Sequence, residues 1–296
     1  MEKQILKEPN YAEELVGLIR SNIGNEKLIE LLEDYHDNDI ADAFEQLSEE
    51  EREELYKILG PERISEIYAY LEDADEYLQE LDIHKAAKII ENMDSDDAVD
   101  ILEEMDDEVQ EQISQLIDEE ANADIQLIQS YDDDEIGSMM TTNFIVIEKD
   151  MSVKAAMKAL VEQAEKNDNI STIYVVDESE RYYGALDLKD LITAREHTEL
   201  EPLMSTSYPY VMDHDKISEN IERIRDYSED STPVLNTDME ILGIITAQDI
   251  AEAVDDELGD DYAKLAGLTS EEDLDEPLLE SMKREYHGLL YFFFSV

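Results

Sequence analysis

Through its first half the chain repeats one pattern, x-h-h-x-h-h-x-x-h, where h is apolar. It runs from Lys27-Leu28-Ile29-Glu30-Leu31-Leu32 to Tyr35, from Asp39-Ile40-Ala41-Asp42-Ala43-Phe44 to Leu47, and from Arg63-Ile64-Ser65-Glu66-Ile67-Tyr68 to Leu71. It returns from Lys85-Ala86-Ala87-Lys88-Ile89-Ile90 to Met93 and from Asp97-Ala98-Val99-Asp100-Ile101-Leu102 to Met105, with weaker copies from Glu51, Asp73 and Val109. The starts fall mostly 12 residues apart, and these apolar positions share one face of a helix. Each unit therefore predicts a short amphipathic helix, and Ser48, Pro61 and Ser95 lie between units as caps or breakers. Such helices bury their faces only by stacking on one another, which predicts a right-angled superhelix of helix pairs over residues 1–130.

At about Gly137 the period changes. Short apolar runs that read as strands (144–147, 173–176, 184–186) alternate with helical stretches over 152–165 and from Leu188 onward. The same order recurs as a strand at 210–212, a helix at 217–227, strands at 233–235 and 242–245, and a helix from Ala247. Each copy opens with a Met and a small hydroxyl residue, Met140-Thr141 and Met204-Ser205, and closes with Gly-h-h-x-x-x-Asp, Gly184 to Asp190 and Gly243 to Asp249. The expected fold class is multidomain, α and α+β. A helical-repeat domain is followed by two β-α-β-β-α units over 131–200 and 201–262, a connecting helix over 263–288 and an apolar tail over 289–296. That tail is far shorter than the roughly 20 apolar residues of a membrane helix, so it reads as a docking tail or the opening of a truncated span.

Composition changes the picture chiefly through charge. Eighty acidic residues stand against 22 basic ones, a formal charge of −58 on 296 residues, yet 42% of the chain is apolar. It has too much core-forming material for an acidic disordered tail, so something must offset the repulsion between its carboxylates. Nucleic acid and anionic membrane surfaces are disfavoured as partners. There is no cysteine, and the five histidines are scattered. Any metal would therefore be held by oxygen, which means magnesium, calcium or manganese. There is no Gly-rich phosphate loop and no nucleophile-and-base set, so the chain does not read as an enzyme and no substrate is expected to be turned over. The opening Met-Glu-Lys-Gln-Ile carries no signal-peptide core, which predicts a cytoplasmic folded part.

Two groups of acids stand out from the solvated majority. Asp96 and Asp100 are four residues apart, so a helix stacks their carboxylates on one face. Ser95-Asp96-Asp97 is equally an ordinary helix start, where acids complement the dipole. The second group is Asp249, Glu252, Asp255, Asp256, Glu257, Asp260 and Asp261, with no lysine or arginine between Arg225 and Lys264 to neutralise it. Acidic surfaces of this kind repel when ion-free and are bridged when divalent cations fill the seam, so occupancy would set the angle between domains.

The paired Met-Thr/Ser and Gly-h-h-x-x-x-Asp marks resemble tandem cystathionine-β-synthase (CBS) modules. Together with the acidic helical repeat and the junction Asp133-Asp134-Glu135-Ile136-Gly137-Ser138-Met139-Met140-Thr141, nearly the whole chain resembles the cytosolic region of the MgtE family of magnesium channels. The resemblance implies Mg2+ at the interface of the helical and CBS domains. The implied ligands are Asp96, Asp100, Asp249, Glu252, Glu257, Asp260 and the Gly137 carbonyl, with Glu66 and Asp226 as further candidates. It also implies homodimerisation through the CBS disc, a membrane pore domain with residues 276–287 in the plug-helix position, and a place at the cytoplasmic face of the cell membrane. Cation filling would favour the closed state, a feedback on uptake. Two alternatives remain open: an adenine-nucleotide-sensing CBS module using Asp190 and Thr246, for ATP, and an acidic interaction scaffold without ion specificity. Asp187 stands where the first copy would need a hydroxyl residue, which counts against ATP.

Overall fold

The structure, a computed structural model, describes residues 11–266 except 22, 72, 196 and 197; the side chains of 256, 257 and 260–266 also lie outside that description. The first domain consists of α1 (Tyr11–Ile19), α2 (Asn25–Leu32), α3 (Asp37–Phe44), α4 (Glu49–Tyr68), α5 (Ala74–Gln79), α6 (Ile83–Glu91), α7 (Ser95–Glu103), α8 (Asp107–Ser114) and α9 (Glu119–Ile128). Alternate helices stack: α1 on α3, α4 on α6, α6 on α8, α5 on α7 and α7 on α9. This is the superhelix the repeat predicts. Most of the repeat's apolar positions, Leu28, Leu32, Ile40, Phe44, Ile64, Ile67, Ile89, Ile90, Ala98 and Leu102 among them, are buried. Each such Leu, Ile or Phe removed from water contributes about 1.5–3 kcal/mol.

The breakers act locally and in different ways. Ser48 caps α4 in a capping box with Glu51. Gly60, at φ 80°, interrupts α4, and Pro61 opens its second half. There the glycine supplies the left-handed turn and the proline needs no helical N–H. Ser95 departs from the expectation. The cap of α7 is Asp94, whose side chain makes no capping bond, and Ser95 is the first residue of the helix, buried.

The second half holds β1 (Ile145–Glu148), α10 (Val153–Gln163), β2 (Thr172–Val176), β3 (Tyr182–Asp187) and α11 (Leu188–Thr193), then β4 (Val211–Met212), α12 (Ile217–Tyr227), β5 (Ser231–Leu235), β6 (Ile241–Thr246) and α13 (Ala247–Ala266). Each set forms a three-stranded sheet whose first pair is parallel and whose second is antiparallel. α13 runs on through the predicted boundary at 262, taking in residues 263–266 of the predicted connecting helix; the rest of that helix and the apolar tail lie outside the described residues.

The two modules exchange their leading residues. The N–H and carbonyl of Thr141 pair with Ile244 on β6, at 2.8 and 2.9 Å, and those of Ser205 pair with Ala185 on β3, at 2.7 and 3.1 Å. A Cβ on Gly243 would stand 2.7 Å from the Thr141 carbonyl oxygen, and one on Gly184 2.5 Å from that of Ser205. The hydroxyl residue and the glycine that punctuate each copy are thus two sides of one contact between copies. Residues 134–137 also run along the second module: Ile136 and Gly137 donate to the carbonyls of Asp215 and Asp213, and Ile217 donates to that of Asp134. The chain leaving the helical domain is therefore built into the second module before it starts the first.

Candidate functional site

The start of α7 meets the start of α13. Asp249 occupies the third position of α13, and its carboxylate accepts from the Thr246 N–H at 2.6 Å while its own N–H donates to Thr246 Oγ1 at 3.3 Å. This reciprocal cap fixes the Asp249 side chain at the helix entrance. Opposite it stand Asp94, Asp96 and Asp97, all half-buried. Burial, then the fields of Asp249, Asp97 and Asp94, pushes Asp96 well above the ordinary carboxylate value. Asp97 is pushed up to about 8 by burial and then by Asp94, Asp249, Asp100 and Glu252. Burial raises Asp94 to about 6 against a stabilising hydrogen bond from Asn143. Asp249 is raised too, by burial first, although its two bonds with Thr246 oppose the shift.

The charges acting most strongly on Asp96 and Asp97 are all carboxylates. Asp96 Oδ1 is buried with no hydrogen-bond partner. An unpaired buried acceptor next to like charges is costly, and the cost falls when a cation joins the set. The donors are carboxylate oxygens only, which suits a hard divalent ion and fits magnesium. Among the described residues, no three acid or histidine side chains already stand in an ion-holding arrangement.

The sequence-predicted residues divide among several places. Asp96, Asp249 and Glu252 come together, Glu252 exposed and acting on Asp97. Asp100 is exposed at the edge of the same group, one turn along α7 from Asp96. Glu66 is exposed and forms an ion pair with Arg63 at 2.5 Å, while Arg63 also holds Asp37 at 2.6 Å. Even so, Glu66, Asp37, Asp97 and Glu252 all bear on Tyr70, whose hydroxyl is raised by burial and then by these acids. Gly137 lies at the other junction, under the Tyr131 ring: a Cβ there would be 2.6 Å from it. Asp226 is exposed in the last turn of α12, 3.6 Å from Arg225. The side chains of Glu257 and Asp260 lie outside the described residues. Of the nucleotide candidates, Asp190 is exposed on α11 and Thr246 is committed to Asp249. Sequence reasoning missed Asp94, Asp97 and Tyr70. The run Asp94-Ser95-Asp96-Asp97 was visible as a helix start, but which of its acids turn inward depends on what packs against the helix end.

Residues 35–134 match the MgtE intracellular N domain, and residues 136–197 and 199–256 each match the CBS domain. The chain is 37% identical over 286 residues to the magnesium transporter MgtE of Enterococcus faecalis, covering 94% of this chain and 63% of that protein. It is 30% identical over 146 residues to MgtE of Thermus thermophilus, 49% of this chain and 32% of that one. The chain thus spans less than two thirds of each of these relatives. Among solved structures it superposes on the soluble part of a magnesium transporter with a TM-score of 0.77 at 29% identity, over 83% of this chain and 99% of that one. It also superposes on the cytosolic domain of the Mg2+ channel MgtE in complex with ATP, with a TM-score of 0.71 at 27% identity, over 81% and 99%. The helical superhelix followed by the paired CBS modules is the architecture these matches share: the chain belongs to the MgtE family, an MgtE intracellular N domain followed by a tandem pair of CBS domains.

Proposed function

We propose that this chain is the magnesium-sensing, gating region of a magnesium transporter, working at the cytoplasmic face of the membrane. The observation that carries the reading is the seam itself, in which Asp94, Asp96 and Asp97 of the helical domain face Asp249 of the second CBS module with Asp96 Oδ1 unpaired. Asp96, Asp97 and Asp249 would hold the ion, with Asp100 and Glu252 at the rim. A bound divalent cation supplies the positive charge the seam lacks. The chain's own residues supply the rest: the Thr246–Asp249 cap fixes one wall, α7 carries the other, and partial burial limits screening by salt. Without the ion the like charges favour separation of the domains. With it the closed arrangement gains, and several carboxylates sharing ions make the response steep. Val161 on α10 and Ile192 on α11, 58% and 62% exposed on contacting helices, are suited to a CBS-to-CBS homodimer.

The test is small-angle scattering and limited proteolysis while magnesium is varied through the millimolar range, with sodium matched for ionic strength. Compaction specific to magnesium is expected. Equal compaction by sodium would replace sensing with plain screening and leave the acidic scaffold as the better account. ATP is bound by one structural relative. In this chain Thr246 and Asp249 are spent on each other, so a thermal shift with ATP and none with magnesium would be needed to favour the nucleotide reading.

A further inference from the structure

Three consecutive residues, Thr141, Thr142 and Asn143, tie the molecule's three units together. Thr141 pairs its backbone with β6 of the second module. Thr142 belongs to the helical domain's face: its N–H donates to Ser95 Oγ at 3.0 Å, its hydroxyl donates to Asp124 Oδ2 at 2.9 Å, and the Ser95 and Thr142 hydroxyl oxygens are 3.3 Å apart. Asn143 spans the rest. Its Nδ2 donates to Asp94 Oδ1 at 2.8 Å and to Asp168 Oδ1 at 2.5 Å, and its Oδ1 accepts the Asp168 N–H at 3.0 Å. Asp94 is the cap residue of α7, one residue before Ser95 and two before Asp96.

We infer that Thr142 and Asn143 are positioning residues, a neutral clasp that registers the acidic start of α7 against Asp249 and keeps part of the population docked before any cation binds. The argument rests on which groups supply the donors. Asp94, Asp124 and Asp168 all act as acceptors, from Asn143 Nδ2, the Thr142 hydroxyl and Asn143 Nδ2 in turn. A lysine or arginine here would neutralise the seam permanently. An amide and a hydroxyl donate to three carboxylates while adding no charge, so the faces stay registered and the Asp96–Asp249 repulsion stays uncompensated. The two protons on Asn143 Nδ2 are both used, one for each side of the domain boundary. Ser95, the first residue of α7 rather than its cap, spends its hydroxyl on this tie, which accounts for its burial. Docked walls lower what an ion must contribute to join them, as preorganisation does for any ligand.

The inference builds on the magnesium reading, but part of its test needs no magnesium. Asn143→Asp keeps the shape, removes both donors and places a charge between Asp94 and Asp168; Thr142→Val removes one hydroxyl, and Thr142→Ser retains it. Amide exchange of Thr142 in the full chain, in magnesium-free buffer, is expected to quicken about tenfold or more in Asn143→Asp and less in Thr142→Val. Thr142→Ser is expected to match wild type. The magnesium midpoint for compaction is expected to rise by a similar factor in Asn143→Asp, with the same compact end state. Unchanged Thr142 protection in both disruptive variants overturns the clasp whatever magnesium does. Quickened exchange in a wild-type background that shows no magnesium-specific compaction upholds the clasp and removes the magnesium reading. Protection of Val234 and Ile244 reports whether the CBS pair is intact; if Asn143→Asp loses it, the contrast between Thr142→Val and Thr142→Ser decides, and equal exchange in those two overturns the clasp.

Discussion

The helical domain treats its acids in two ways. From α1 to α6, carboxylates are given resident cations. Glu80 is gripped by Arg52, which also donates to the Leu47 carbonyl at 2.5 Å and lies over the Tyr77 ring at 4.7 Å. Lys85 holds Glu53 at 3.1 Å, and Arg20 binds both oxygens of Glu51, at 2.7 and 2.9 Å. At the start of α7, carboxylates buried more deeply than these have only each other and a few neutral donors. The sign of the pKa shift records the difference: Glu51 is held down to about 2 by its Arg20 hydrogen bond, and Asp97 is driven up to about 8 by burial and its neighbours. Charge pairs inside the domain make it one body. Charge left unpaired at its edge makes its attachment conditional.

The sharpest way to break that contrast is to remove the best-enclosed pair. Arg52→Met, which leaves Glu80 without its partner and Tyr77 without its cation, is expected to destabilise the helical domain by about 2–3 kcal/mol, read as a lower urea midpoint with the CBS transition unmoved. The opposite change comes next. Asp96→Asn with Asp97→Asn removes repulsion without removing volume, so the magnesium-free protein is expected to dock its domains and melt higher by about 1–2 kcal/mol equivalent. The same variant is expected to lose most of the further rise that magnesium gives wild type. If it still melts lower in chelator than in magnesium by the wild-type margin, the ion acts elsewhere.

A smaller effect comes from protons. A carboxyl whose pKa is raised on docking takes up a proton as it docks. Seam stability is therefore present on the acid side and lost as pH rises through about 6 for Asp94 and about 8 for Asp97. Without magnesium, the scattering radius is expected to grow between pH 6 and pH 8.5. Glu51 has the opposite sign: its contribution is present above its ordinary value of 4.5 and is lost only as pH falls toward about 2. Smallest of all is Arg20→Gln. It breaks an exposed pair screened by water, and its melting curve is expected to overlie that of wild type.

Much of this architecture was legible beforehand, because period is a local property. A helix that hides one face needs apolar residues every third or fourth position, and the repeat shows them directly. Pro61 and Ser48 mark real interruptions for reasons confined to a few residues. The candidate site was legible only in part. Asp249 and Glu252 were picked out as members of an uncompensated run, and both bear on Asp97. Asp96 and Asp100 were picked out as a pair; the structure leaves Asp100 exposed and sets Asp96 among Asp94 and Asp97, which carry as much of the buried charge. The arginine beneath Glu66 could have been suspected from the three-residue spacing of Arg63 and Glu66; Asp37 as its second partner could not.

The sequence by itself determined the units: an acidic helical superhelix, two copies of a β-α-β-β-α module, and a surplus of carboxylate with nothing nearby in the chain to neutralise it. Only the tertiary structure decided how the units read each other. The glycine and hydroxyl marks were visible as repeats, yet their contact crosses from one copy to the other. The inward turn of Asp96 and Asp97, and the spanning of two carboxylates by Asn143, depend on α13 and the Asp168 loop arriving beside α7. Periodicity is set by neighbours along the chain, whereas burial of a charge is set by whatever arrives opposite it, and here that is a residue more than 150 positions away, Asp249 against Asp96.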